Sequence, residues 1–190
     1  SARLKRPALL EKVKSSANSQ VQAIVIGVST GGPKALNQML PLLSEATKLP
    51  ILIVQHMPPT FTQSLATQLS AKCQAKVVEA SDGETVKDGH IYIAPGGKHL
   101  CIKRNGASIQ TVITDTPPEN GCKPSVDVLF RSVAAVYGDA AIAVIMTGMG
   151  NDGAQATGAL KRAGAHIIVQ DEESSIVWGM PGSAVATGNV

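Results

Sequence analysis

The sequence predicts an α/β domain, a doubly wound and mostly parallel sheet with helices on both faces and one inserted β-hairpin. Three observations carry this expectation. From Val21 onward, short β-branched runs alternate with stretches of helical periodicity, the pattern of successive βαβ units. Two of those runs, Ala23 to Val28 and Ala141 to Met146, lead into glycine-rich turns that open onto helix-patterned stretches. Between them, Asn105-Gly106 joins two β-patterned runs directly and breaks the alternation, the signal of a tight hairpin.

The elements follow in order. Ala23 to Val28 is almost continuously apolar, as a strand covered on both faces must be. Gly27-Val28-Ser29-Thr30-Gly31-Gly32 turns the chain, and Pro33, whose φ is pre-set for a first helical turn, opens a helix predicted to run to about Leu43. Ile51 to Gln55 is the second strand. A helix is predicted from about Thr60 to Ala71, where Phe61, Leu65 and Leu69 lie four apart on one face. Lys76 to Glu79 and His90 to Ala94 are short strands separated by a turn at Asp82-Gly83. Leu100 to Arg104 and Ser108 to Thr114 are the arms of the hairpin, with a type I′ turn expected at Asn105-Gly106. Asp115 to Lys123, rich in Pro, Gly and Asn, reads as a surface loop. Ser125 is then expected to cap a helix reaching about Tyr137. Strand Ala141 to Met146, the turn Thr147-Gly148-Met149-Gly150-Asn151-Asp152-Gly153, a helix over about Ala154 to Ala163, strand His166 to Gln170 and a helix from about Pro181 to Thr187 complete the chain. Residues 1–20, which mix charge with Ser15-Ser16-Ala17-Asn18-Ser19, read as an interdomain linker, which leaves 21–190 as the domain proper.

Composition narrows the function classes. A chain of 190 residues, 44% apolar, suffices for one domain with a substantial core. Its longest apolar runs fall far short of the roughly 18 residues a spanning helix needs, so no direct membrane insertion is expected. The net charge of +3 resides in the tail: residues 1–20 hold five cations against one anion, a net +4, which leaves −1 for the remainder. With 3% aromatic residues there are few stacking platforms, and nucleic acid is not an expected partner. Cys73, Cys101 and Cys122 are odd in number and form no Cys-x-x-Cys pair, which argues against a disulfide framework or a structural zinc site and for a reducing, cytoplasmic setting.

Ligands of an open parallel sheet bind beyond the carboxyl ends of its strands, so the residues that end each strand are the informative ones. The first strand ends at Ser29, the second at Gln55-His56-Met57-Pro58, and the run Ala141 to Met146 in the loop holding Asn151-Asp152. Serine, histidine and aspartate together are the components of acyl-transfer chemistry: a hydroxyl nucleophile, a base that takes its proton, and a carboxylate that orients the base. Each has a plainer reading. Ser29 could cap a helix or touch a phosphate, His56 could be a hydrogen-bonded structural residue, and Asp152 could cap the helix that follows it. Their convergence on one sheet edge favours the catalytic reading. His90 and His166 stand at the amino ends of strands, on the wrong edge, while His99 near the hairpin remains open as a competitor.

The main alternative is a non-enzymatic phosphate- or nucleotide-binding α/β module built on the same turns. A P-loop would place Lys and then Ser or Thr after its last glycine, but Gly32 is followed by Pro33-Lys34. A dinucleotide site would end the second strand in an acidic residue, where Gln55-His56 stands instead. Gly27-x-Ser29-x-Gly31 has the spacing of a nucleophile elbow, although the chain order Ser29, His56, Asp152 differs from the serine, acid, histidine order of α/β-hydrolases.

Five blocks, Ile26-Gly27-Val28-Ser29-Thr30-Gly31-Gly32, Gln55-His56-Met57-Pro58-Pro59, Tyr92-Ile93-Ala94-Pro95-Gly96, Pro124-Ser125-Val126-Asp127-Val128-Leu129-Phe130 and Thr147 to Gly153, resemble in order the catalytic domain of the bacterial chemotaxis receptor methylesterases, the CheB family. The resemblance implies hydrolysis of glutamate γ-methyl esters on chemoreceptor cytoplasmic helices to glutamate and methanol, with deamidation of receptor glutamines. It implies Ser29 as nucleophile, His56 as general base and acid, and Asp152 as the residue orienting His56. Thr30 and Met149 match active-site positions whose turns would stabilise the oxyanion. No metal or organic cofactor is implied. Family members usually carry an amino-terminal receiver domain that inhibits the esterase until phosphorylated. The resemblance therefore adds that domain as a partner, and the 190 residues, which do not include it, are expected to act independently of phosphodonor.

Overall fold

The computed structural model describes residues 20–190, so the linker reading, Gln20 apart, falls outside the described residues. In chain order the elements are β1 (Ala23–Val28), α1 (Gly32–Ala46), β2 (Ile51–Gln55), α2 (Phe61–Ser70), β3 (Lys76–Glu79), β4 (His90–Ile93), β5 (His99–Asn105), β6 (Ser108–Thr114), α3 (Val126–Tyr137), β7 (Ala141–Ile145), α4 (Ala156–Arg162), β8 (His166–Val169) and α5 (Gly179–Ala186). Six strands form one sheet in the order β3-β4-β2-β1-β7-β8, every neighbouring pair parallel. The predicted fold class is the observed one.

Side-chain alternation along β1 builds the two layers, because successive residues of a strand face opposite sides. Ile24, Ile26 and Val28 pack with Leu36 and Leu40 of α1 and Leu65 and Leu69 of α2. Val25 faces the other way, into a core with Leu52, Val54, Leu129, Phe130, Val133, Leu160 and Met180. Each fully buried aliphatic side chain contributes roughly 1.5–3 kcal/mol, which is why the near-continuous apolar strands can sit only at the centre of such a sandwich. Gly27 belongs to the α3 face, where a Cβ would lie 2.4 Å from Val126 Cγ1. Glycine there lets the first turn of α3 approach the end of β1.

From β1 the chain runs outward to β2, passes to the edge as β3, fills the gap between them as β4, and later returns to the opposite side of β1 as β7. The carboxyl-end crevice beside β1 is thus the topological switch point, the ligand position of open α/β sheets. Val28 lies opposite Gln55 and Gly27 opposite Ile145, so the loops after β1, β2 and β7 leave the sheet side by side.

The inserted hairpin pairs β5 with β6 antiparallel as a separate two-stranded ribbon, with Asn105 opposite Ser108. Its turn is therefore Gly106-Ala107, and only Gly106 has positive φ (58°), which is the sign pattern of a type II′ turn rather than the expected type I′ at Asn105-Gly106. The type I′ pattern occurs instead within the loop before α3, at Asn120 (φ 52°) and Gly121 (φ 72°). Helix α5 begins at Gly179, two residues before the expected Pro181, and α4 covers only Ala156–Arg162.

Candidate active site

Ser29 lies just beyond β1, held by its backbone: its N–H donates to the Thr147 carbonyl (2.9 Å), and its own carbonyl accepts from Gly32 N–H (2.8 Å). The two glycine-rich turns meet here. Thr147 Oγ1 donates to Thr30 O (2.9 Å), and a Cβ on Gly148 would lie 2.7 Å from Ser29 Cβ. Gln55, 2% exposed, spans the tops of β1 and β2 by donating from Nε2 to Ser29 O (3.0 Å) and His56 O (3.2 Å). Residue 55, unsuited to a ribose, thus holds the serine and histidine loops together. The backbone N–H groups of Thr30 and Met149 donate to no protein acceptor among the described residues. Thr30 is exposed and the Met149 side chain is 69% exposed.

His56 follows β2, its N–H bonded to Val28 O (3.1 Å), which places it beside Ser29. Its Nε2 lies 2.7 Å from Asp152 Oδ2, the His56 side chain being 15% and that of Asp152 2% exposed. The carboxylate can only accept, so Nε2 carries the proton and Nδ1 presents a lone pair. That nitrogen is 3.8 Å from Cys122 Sγ. The Ser29 hydroxyl makes no hydrogen bond to the ring, so the structure joins His56 to Asp152 directly and brings Ser29 alongside them through backbone contacts.

Asp152 is a cap, though not for the helix that follows it. Its Oδ1 accepts from Ser125 Oγ (2.8 Å), Asp127 N–H (3.1 Å) and Asn120 Nδ2 (3.1 Å), and its Oδ2 from Val126 N–H (2.6 Å) in addition to His56. Val126 N–H and Asp127 N–H are orphan donors of the first turn of α3, where the helix dipole also favours an anion. Ser125 occupies the N-cap position of α3 but makes no side-chain cap bond; the expectation that it caps the helix is corrected, because its hydroxyl is turned to Asp152. Asp127 returns the arrangement, accepting Ala156 N–H at the start of α4 (2.7 Å). Burial works to raise the Asp152 pKa, but the bonds from His56, Val126, Ser125 and Asp127 outweigh it and hold the carboxyl below the usual carboxylate range. For Asp127 burial prevails, reinforced by the charge of Asp152, and its carboxyl is raised.

His99, left open by the sequence, is fully buried with both nitrogens engaged: Nδ1 accepts Ser125 N–H (3.1 Å) and Nε2 donates to Pro117 O (3.0 Å). It fixes the entry to α3 and has no lone pair left for a substrate. Asn120, Cys122 and Asp127 were not singled out as site residues from the sequence. The Asn-Gly dipeptide at 120–121 and an Asp on the apolar face of α3 were the available signals. His56, Cys122 and Asp152 place ligand atoms within 4.8 Å of one another, the spacing of a metal cluster. The donors do not suit an ion: Asp152 already accepts five hydrogen bonds, and the Cys122 thiol is pushed up to about 11, first by burial and then by Asp152 and Asp127.

Fold and site together define a doubly wound α/β domain with a serine beside a histidine–aspartate pair at its switch point. The chain belongs to the CheB methylesterase family, whose model matches residues 24–190. A protein-glutamate methylesterase/protein-glutamine glutaminase of Desulfotalea psychrophila is 53% identical over 177 residues, 92% of this chain and 49% of that protein. The protein of the same name from Pectobacterium atrosepticum is 51% identical over 172 residues, 90% of this chain and 49% of its own length. The crystal structure of the Thermotoga maritima CheB methylesterase catalytic domain superposes with a TM-score of 0.87 at 40% identity, covering 90% of this chain and 91% of that one. The chain therefore spans about half the length of the curated relatives it matches.

Proposed function

We propose that this domain hydrolyses glutamate γ-methyl esters on the cytoplasmic helices of chemoreceptors, releasing methanol, and deamidates receptor glutamines by the same route. The observation that carries the reading is the 2.7 Å bond between His56 Nε2 and a buried, ionised Asp152, formed beside Ser29 at the switch point. The substrate class rests on family membership and on the names of the relatives.

Ser29 Oγ attacks the ester carbonyl as His56 Nδ1 takes its proton, and Asp152 stabilises the imidazolium without itself becoming protonated. Serine–base hydrogen bonds commonly tighten only once substrate is bound, and Ser29 and His56 leave adjacent strands. The free N–H groups of Thr30 and Met149 are the proposed oxyanion donors. Methanol departs with the proton from His56, and water then attacks the glutamyl-Ser29 ester with His56 again as base. In deamidation ammonia leaves instead.

Nothing favours the phosphate-module alternative, since Pro33 removes an amide donor from the start of α1. Among the described residues no helix is long and apolar enough to cross a membrane. The proposed site of action is the cytoplasm, on the receptor helices, with the receiver domain of a longer protein as the proposed partner. Methanol release from methylated receptor tests the reading. Ser29→Ala should lower it on the order of 10⁴- to 10⁶-fold with the fold intact, and near-normal release by that variant would refute it.

A further inference from the structure

We propose that the turn Glu119-Asn120-Gly121-Cys122 is a positioning clasp that holds both members of the His56–Asp152 pair. Glu119 and Cys122 exchange backbone bonds, Glu119 N–H to Cys122 O at 3.0 Å and Cys122 N–H to Glu119 O at 2.8 Å. Both central residues are left-handed. This closed type I′ geometry has little freedom, and Asn-Gly is the dipeptide that adopts it at least cost.

One arm of the turn acts on Asp152. The two hydrogens of the Asn120 amide nitrogen reach two carboxylates, Asp127 Oδ2 at 2.7 Å and Asp152 Oδ1 at 3.1 Å. Both acids are buried and their like charges oppose each other, so a shared donor between them is what allows both to remain in register. The other arm acts on His56, where Cys122 Sγ stands 3.8 Å from Nδ1 and 3.5 Å from Asn120 O of its own turn. The turn is anchored from outside the site by the paired bonds of Arg131 on α3 to Glu119 (2.6 and 2.7 Å). The loop expected to be mere surface thus braces the carboxylate and the ring from one rigid piece of backbone.

The inference rests on the proposed roles of His56 and Asp152, and its test has an arm that needs no substrate. In the 190-residue chain, the proton of His56 Nε2 bonded to Asp152 is followed by NMR in wild type, Asn120→Gly and Asn120→Asp. Both variants tolerate the left-handed turn, and they load it differently: glycine deletes the donor, aspartate replaces it with a third carboxylate. Expected are unchanged circular dichroism, a broadened or shifted His56 resonance, and kcat for methanol release lowered about 10- to 100-fold for Asn120→Gly, more for Asn120→Asp, with KM within about twofold. An unaltered resonance in either folded variant, or kcat within about threefold of wild type, overturns the clasp. Should the wild-type chain release no methanol, the function reading fails while the resonance still decides this one.

Discussion

Asp152→Ala should destabilise the domain far more than His56→Ala, although both remove the same 2.7 Å bond. Truncating Asp152 also strands Ser125 Oγ, Val126 N–H and Asp127 N–H, all on fully buried residues. A buried donor left without an acceptor costs about 1–3 kcal/mol, so three cost roughly 3–6 kcal/mol after partial relaxation, against a total stability of about 5–15 kcal/mol. For a domain of this size each kcal/mol moves Tm by about 2–4 °C, which predicts a drop of roughly 6–24 °C. His56→Ala gives up one bond from a partly exposed ring and leaves the four others on Asp152 in place, a loss of about 1 kcal/mol. Thermal melts followed by circular dichroism, with urea titrations to confirm the ranking, read both variants. If the two melt within about 2 °C of each other, Asp152 is not the cap of α3 and the account of its position fails.

Two further outcomes follow from the same contacts. The hydrogen bonds on Asp152 hold its carboxyl below the usual range, so its contribution is fully present above the unfolded carboxylate value of 3.8 and is lost as pH falls through the lower folded value; Asp127, raised by burial, has the opposite sign, since protonating it relieves a cost. The urea midpoints of wild type and Asp152→Ala should therefore differ most near neutrality and converge below about pH 4, and a gap independent of pH would contradict the assignment. Gly148→Ala places a Cβ 2.4 Å from Met180 Sδ and 2.7 Å from Ser29 Cβ, so it should cost about 1–3 kcal/mol and displace Ser29, the proposed nucleophile, lowering methanol release while KM changes little; wild-type kcat and Tm would exclude the close approach.

The layered fold was legible in the chain because its causes are local. Apolar strands of five or six residues, helical spacing between them and glycine where turns must be sharp leave few architectures, and the observed sheet is the one expected. The convergence of Ser29, His56 and Asp152 on one edge was legible for the related reason that strand ends in a parallel sheet share an edge. What each polar group bonds to was not, because those partners are remote in the chain and only packing selects them. Asp152 could have capped its own helix; closure of β7 against β1, with Gly27 admitting Val126, turned it to α3 instead. His99 stayed open as a competitor to His56 in the sequence, and only tertiary burial, which engages both its nitrogens, removes it. Two Asn-Gly pairs carried the same turn signal, and the pairing of Asn105 with Ser108 shifted one hairpin by a residue while the other became type I′ over the site. Local sequence determined which elements form and which residues end them; tertiary structure decided which donors meet which acceptors, because a hydrogen bond depends on atoms being within about 3 Å and no local rule supplies that distance.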